Sequence, residues 1–277
     1  MVFRANSYTL DLNRPLVMGI VNVTPDSFSD GGQFGTTSRA IEHAMKLVED
    51  GADILDIGGE STRPNAEPVS LEEELRRVIP VIEGLAQCCN TPISIDTYKP
   101  QVMRAAVTAG ASLINDVRGL QELGAIEAVA ASDAGVCLMH MPGTPKTMQN
   151  DPCYDDVVME VRDFLLARAV ACEAAGIGRE RIMLDPGFGF GKRSMHNIAL
   201  LRELQSLCGL GYPVLVGLSR KSVLGQITGN DVADRLPASL AAAVVAAMKG
   251  AAVVRVHDVK ATRDALAVVS AISATPV

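Results

Sequence analysis

Asp56, Asp96, Asn115 and Asp185 each stand at the end of a short apolar run, and all are small polar groups suited to directional hydrogen bonding. A carboxylate accepts hydrogen bonds, whereas an amide both donates and accepts. Brought to one place, such a set reads the edge of a flat heterocycle with an amino-pyrimidinone face, the carboxylates accepting from ring N–H and exocyclic NH2 groups. Strand-end Asp and Asn also cap helices, and for any single residue that plainer role stands beside the first. For the whole set, recognition explains more.

Two basic clusters complement these acceptors. In Val216-Gly-Leu-Ser-Arg-Lys-Ser222, Arg220, Lys221 and two hydroxyls sit at the start of a predicted helix, where free N–H groups and the helix dipole favour a carboxylate or phosphate. A merely solvated helix start fits Arg220 better than Lys221. Arg255 and His257 are two residues apart on an apolar run, hence on one face, with Val254 and Val256 on the other. Their charge-assisted bonds suit a phosphate or pyrophosphate.

Asp185-Pro-Gly-Phe-Gly-Phe-Gly-Lys192 is rich in glycine but has neither P-loop nor dinucleotide-fold spacing. Its glycines would let Phe190 and the backbone approach a flat ligand closely. Met139 reads as core by default, yet its place at a run end suits the floor of an aromatic-ligand pocket. His140, at the next position, receives no role.

These residues need a scaffold that brings separate run ends together. The predicted strands are Leu16 to Val21, Ile54 to Ile57, Ile93 to Ile95, Leu113 to Asn115, Val136 to Met139, Ile182 to Leu184, Val214 to Val216 and Val253 to Val256. Between them lie helical stretches: Ser38 to Asp50, one begun by Ser70 and Glu73, Pro100 to Ala109, Leu123 to Ala131, Tyr154 to Ala175, Asn197 to Leu207, Val232 to Lys249 and Lys260 to Ala271. Alternation of buried strand and helix specifies α/β architecture, here a single (β/α)8 TIM barrel over residues 1–277, whose chemistry belongs at the strand C-termini. Tyr8 to Leu12 forms an N-terminal strand or hairpin cover. Long polar segments follow the first and second barrel strands, Asn22 to Gly35 and Gly58 to Pro68, and loops of that length in a compact domain are usually functional.

Composition agrees with a barrel. Hydrophobic residues make up 48% of the 277 and aromatics only 4%, as an aliphatic core of strands buried on both faces requires. A net charge of -7 argues against a general nucleic-acid or anionic-membrane binder. The six cysteines show no zinc or CxxC spacing and read as reduced thiols of a cytoplasmic protein. Neither a signal peptide nor a membrane-spanning run is present.

The motifs also carry a resemblance. Met18-Gly-Ile-Val-Asn-Val-Thr-Pro-Asp-Ser-Phe-Ser-Asp-Gly-Gly32, Asp56-Ile-Gly-Gly-Glu-Ser-Thr-Arg-Pro64, Ser94-Ile-Asp-Thr97, Ile114-Asn-Asp116, Leu138-Met-His-Met141, the Leu184 to Lys192 segment and Ser219-Arg-Lys-Ser222 resemble those of the bacterial dihydropteroate synthases. The resemblance implies that 6-hydroxymethyl-7,8-dihydropterin pyrophosphate is joined to 4-aminobenzoate, giving dihydropteroate and pyrophosphate for folate. It assigns the pterin to Asp56, Asp96, Asn115, Met139, Asp185, Phe190, Gly217 and Lys221. Asn22, Thr62, Arg63, Arg255 and His257 fall to the pyrophosphate, with Asn22 also on Mg2+. Phe28, Thr62, Pro64, Phe190, Lys221 and Ser222 fall to 4-aminobenzoate and to competing sulfonamides. Asp96, Lys221, Arg255 and His257 are the residues placed nearest the chemistry.

By the same resemblance, the protein is a sulfonamide-sensitive homodimer, its Ala-rich last two helices offering a flat face. Departures from the family pattern fall in Asn65-Ala-Glu-Pro68. Two other outcomes share the pterin-reading set: a barrel presenting methyltetrahydrofolate to a corrinoid, and an inactive pterin-binding subunit. The first has no need of Asn22 with Arg255 and His257, and the second has no need of a complete set.

Overall fold

The computed structural model describes residues 1–24, 32–61, 67–144, 146–149 and 151–274. A hairpin of β1 (Val2–Ala5) and β2 (Tyr8–Asp11) precedes the parallel strands β3 (Leu16–Asn22), β4 (Ile54–Gly58), β5 (Ile93–Asp96), β6 (Leu113–Asp116), β7 (Gly135–Met139), β8 (Ile182–Asp185), β9 (Leu215–Val216) and β10 (Val253–Val256). The last eight form one sheet in the order β8-β7-β6-β5-β4-β3-β10-β9, and a bridge between Leu184 and Val214 draws its two ends together. The expected (β/α)8 barrel is therefore present.

Period-two alternation sorts each strand into an inner and an outer set. Leu16, Met18, Ile54, Leu113, Cys137, Met183, Leu215 and Val253 fill the barrel interior, with Phe3 and Ala5 of the hairpin packed on them from below. The outer residues, among them Val17, Leu55, Ile57, Ile95, Ile114, Leu138, Leu184, Val216, Val254 and Val256, join the helices in a second, larger core. Residues that continue the inner set toward the strand C-termini are the polar ones. Inward alternation therefore carries Asp56, Asp96, Asn115, Asp185, Arg255 and His257 to one rim.

The helices are α1 (Gly32–Glu49), α2 (Leu71–Cys88), α3 (Pro100–Ala109), α4 (Ala125–Ala130), α5 (Val157–Ala174), α6 (Ser194–Arg202), α7 (Leu204–Cys208), α8 (Ser222–Thr228), α9 (Leu236–Met248) and α10 (Val259–Ala274). Ser70 caps α2 by accepting from the Glu73 N–H at 3.2 Å, but the Glu73 carboxylate turns to Arg76 and Arg77 instead of closing a reciprocal box. No described helix is long and apolar enough to cross a membrane.

Several sequence boundaries shift. The cover is a complete hairpin, because Asn6 adopts a left-handed conformation that turns the chain between β1 and β2. The helix expected from Asn197 to Leu207 begins at Ser194 and breaks at Glu203 into α6 and α7. Ahead of the last helix pair, a short α8 follows the Ser219-Arg-Lys turn, and the long helix starts only at Leu236, where Pro237 occupies its first turn.

Candidate active site

Strand register aligns the first row of the rim. Asn22 pairs with Gly58, Gly58 with Asp96 and Asp96 with Asn115, so consecutive strands present these positions at one height. On the opposite wall Met139 pairs with Asp185. The residues lie far apart in sequence and meet because the sheet closes.

Arg255 links the carboxylates. Its Nε donates to Asp56 Oδ2 at 2.6 Å and its NH2 group to Asp96 Oδ2 at 2.8 Å, while Asn115 Nδ2 donates to the same Asp56 oxygen at 3.1 Å. Sequence reasoning assigned Arg255 to the pyrophosphate and to the chemistry, and the guanidinium also braces the pterin-side acids. Asp56 Oδ1, Asn115 Oδ1 and the Ser94 hydroxyl are buried and have no partner among the described residues. Buried acceptors left open in this way carry a free-energy cost of about 1–3 kcal/mol each, which a ligand with matching donors would remove.

Burial sets the charge state of the rim. It pushes Asp96 up to about 7 against the opposing pull of Arg255, and Asp56, Glu74 and Asp116 push the same way. Asp185 rises to about 6, again from burial, although its Oδ1 accepts the Gly187 N–H at 2.7 Å. Lys221 is held down to about 8 by burial and by Arg255, and its Nζ lies 4.0 Å from the centre of the Phe190 ring. His257 falls to about 4 through burial, Arg220 and Arg255. Burial thus displaces Asp96, Asp185 and Lys221 toward neutrality and keeps the His257 ring uncharged.

The Asp185 to Lys192 segment is a rigid platform. Gly187 and Gly191 have φ of 68° and 58°, and a Cβ at either would fall 2.0 Å from the His140 carbonyl oxygen or 2.3 Å from Pro142 Cγ. These glycines thus let the segment approach the neighbouring loop, a different reason from the ligand contact expected of them. Lys192 holds the platform from beneath, donating to the carbonyls of Gly187 at 2.9 Å and Phe190 at 3.0 Å and contacting His140 Nδ1 at 3.0 Å. His140 therefore has a structural partner. Met139 packs with Val117, Met141 and Met148 below Tyr98 and Phe190, as a pocket floor would.

The basic turn after β9 divides its residues. Arg220 takes a left-handed φ of 58° and points away, pairing with Asp258 at 2.6 and 3.0 Å. That leaves Lys221 as the cation of the turn facing the acids, with half-buried Gly217 before it and exposed Ser222 opening α8. Phe28, Thr62, Arg63 and Pro64 lie outside the described residues. Below the second loop, Lys99 pairs with Glu60 and Glu74, and Tyr98 donates to Glu60 at 3.1 Å. This network and Lys192 were missed from sequence; a lysine inside a glycine-aromatic run was the available signal.

The profile described as "Pterin binding enzyme" matches residues 18–257. Dihydropteroate synthase of Escherichia coli strain K12 is 53% identical over 267 residues, covering 96% of this chain and 95% of its own. The chain belongs to the dihydropteroate synthase family of pterin binding enzymes. Among solved members, the Xanthomonas albilineans dihydropteroate synthase with 4-aminobenzoic acid is 54% identical with a TM-score of 0.94, each chain covered in full at 100%. The Yersinia pestis dihydropteroate synthase with a sulfonamide drug complex is 50% identical with a TM-score of 0.94, over 99% of this chain and 100% of that one. At this likeness the barrel described above is the fold of those solved members.

Proposed function

We propose that this chain joins 6-hydroxymethyl-7,8-dihydropterin pyrophosphate to 4-aminobenzoate, forming 7,8-dihydropteroate and pyrophosphate. The observation that carries the proposal is the rim itself: open buried acceptors on Asp56 and Asn115 stand beside Asp96, Asp185 and the cations Lys221 and Arg255. Family membership supplies the identity of the heterocycle.

In this reading Asp185, Asp56 and Asn115 take the pterin's ring N–H, amino and carbonyl groups, and Met139 and Phe190 enclose its plane. The C–O bond between the pterin methylene and pyrophosphate breaks with its electron pair leaving on oxygen. His257 and Arg255 stabilise that charge where it develops, and the Asp96 carboxylate offsets the positive charge left on the methylene. The amine of 4-aminobenzoate then forms the C–N bond and gives up a proton to the released pyrophosphate or to water. Lys221 and Ser222 are assigned its carboxylate, and Phe28, Thr62, Arg63 and Pro64 the remaining loop contacts. No covalent protein intermediate is required.

Mg2+ fits the donor set. Asn22 ends β3 with its Oδ1 3.9 Å from the position a Cβ would take at Gly58, and offers one hard oxygen of the kind Mg2+ prefers when phosphates and water supply the rest. Bound there, the ion would neutralise pyrophosphate charge. The six free thiols accord with a reducing cytoplasm, and Val245, Met248, Val268 and Ile272, exposed on α9 and α10, accord with a homodimer.

The test mixes purified protein with the two substrates and Mg2+ and measures pyrophosphate release. Product is expected, with loss of turnover on chelation and competition by a sulfonamide against 4-aminobenzoate. No release under these conditions would discard the assignment.

A further inference from the structure

We infer that Ser219 is a positioning residue that fixes the tautomer of His257, so that the ring presents Nε2–H as its hydrogen-bond donor at the rim. The inference rests on the function proposed above and concerns how one of its groups is set. Ser219 follows β9 and is buried, and β9 is paired to β10 through Leu215 with Val253 and Val216 with Val254. That register carries the Ser219 side chain to the end of β10. There its Oγ accepts the backbone N–H of His257 at 3.2 Å and lies 3.0 Å from Nδ1 of the same residue.

A hydroxyl has one proton and two lone pairs, and a backbone N–H can only donate. The N–H therefore occupies a lone pair, and the hydroxyl proton needs an acceptor. Nδ1 is the only acceptor Ser219 Oγ meets among the described residues. Were Nδ1 protonated instead, both neighbours would donate and the buried hydroxyl proton would be left unpaired, at the usual cost of an unsatisfied buried group. Donation from Ser219 thus leaves the single proton of a neutral imidazole on Nε2.

The surroundings favour the neutral ring. Burial and the nearby positive charges of Arg220, Arg255 and Lys221 oppose its protonation more strongly than Asp258 promotes it. Arg220 also secures the turn: its left-handed backbone directs Ser219 inward, its N–H donates to Ser239 Oγ at 3.0 Å, and its guanidinium is held by Asp258. Nε2 has no partner among the described residues. It is a directed donor available to an oxyanion, fixed before that anion arrives, which spares the ring a reorientation.

Nitrogen-15 NMR of labelled histidine tests this directly, since the chain has only four histidines and a His257→Gln variant assigns the signal. Near neutral pH the wild-type His257 is expected to show an unprotonated Nδ1 and a protonated Nε2. Ser219→Ala should give two averaged nitrogens and weaken binding of inorganic pyrophosphate with Mg2+ about twofold, because only about half of the rings then carry the competent tautomer. Ser219→Thr should restore both, while the KM for 4-aminobenzoate stays unchanged throughout. A wild-type ring protonated on Nδ1 overturns the inference without any variant. So does Ser219→Ala with an unchanged spectrum, or with wild-type pyrophosphate affinity despite a changed one. Failure of the proposed activity shows separately, as no product from a wild-type protein whose spectrum is as expected.

Discussion

Asp53 immediately precedes β4 and Asp56 lies within it, and each carboxylate is gripped by arginine, yet they do opposite work. At the lower end, Asp53 takes Arg14 at 2.7 and 3.0 Å, Arg263 at 3.1 and 3.3 Å and the Val17 N–H at 2.8 Å. Both of its oxygens are filled. At the upper end, Asp56 shares one oxygen between Arg255 and Asn115, and the other is buried without a partner among the described residues. A satisfied cluster holds the barrel closed, whereas an unsatisfied one is organised around something that arrives later. The division matches the general one between stability at the bottom of such barrels and chemistry at the top.

The sharpest way to break this comparison is to remove each acid in turn. Asp56→Ala leaves Arg255 with Asp96 alone and strips Asn115 of its acceptor, so it should cost about 3 kcal/mol of stability. It should also lower kcat/KM by about a hundredfold or more through the lost pterin contact. Asp53→Ala should cost about 1–2 kcal/mol, chiefly for the Val17 N–H, because its arginines retain access to water. Its kcat/KM should not change. Chemical denaturation and steady-state kinetics on the two variants check both halves, and a loss of activity in Asp53→Ala would abolish the distinction.

Asn115→Ala separates the two quantities within the upper site. It deletes a donor to Asp56, worth about 1 kcal/mol, but also removes an acceptor that has no partner among the described residues, so stability should barely move. Affinity for a pterin analogue should fall about tenfold, since the open oxygen is what the ligand fills. Calorimetric titration beside a melting curve reads both.

How much of this was legible in the sequence follows from what each feature depends on. The rim acids and amide were visible because Asp56, Asp96, Asn115 and Asp185 close apolar runs, and strand periodicity alone fixes where such residues point. Arg255 and His257 were visible for the same reason. The Arg255 contacts were not, because the partners stand 199 and 159 residues away and meet only through closure of the sheet. Nor was the Lys192 contact with His140, where two loops cross and the left-handed Gly187 and Gly191 set the spacing. Local turn geometry was similarly hidden: the left-handed Arg220 sends that side chain outward, and the left-handed Gly229 ends α8 after Thr228.

A gentler test uses pH. The Asp185 value of about 6 lies above the ordinary carboxylate value of 3.8, so the folded protein keeps this proton longer than the unfolded chain. The stability this gives is fully present below pH 3.8 and is lost as pH rises through about 6. Pterin binding runs the other way, because an ionised carboxylate is the better acceptor. Affinity for a pterin analogue should therefore increase as pH rises through about 6, with a further step near 7 from Asp96. Asp185→Asn should remove the lower step and leave the upper, a result readable from dissociation constants across that range.

The smallest effect belongs to Arg14, and it asks whether the lower cluster is as redundant as its geometry implies. Arg14 is 43% exposed in its side chain, and its removal leaves Asp53 with Arg263 and the Val17 N–H. An exposed arginine pair contributes about 0–1 kcal/mol and is screened by salt, so Arg14→Ala should lower stability by less than 1 kcal/mol, and by less still at high ionic strength. Its kinetics should match the wild type. By contrast, no second cation among the described residues bridges Asp56 and Asp96, and the same substitution at Arg255 leaves two buried acids facing each other. If Arg14→Ala proved as damaging as Arg255→Ala, satisfaction of the carboxylates would not be what separates the two ends of β4.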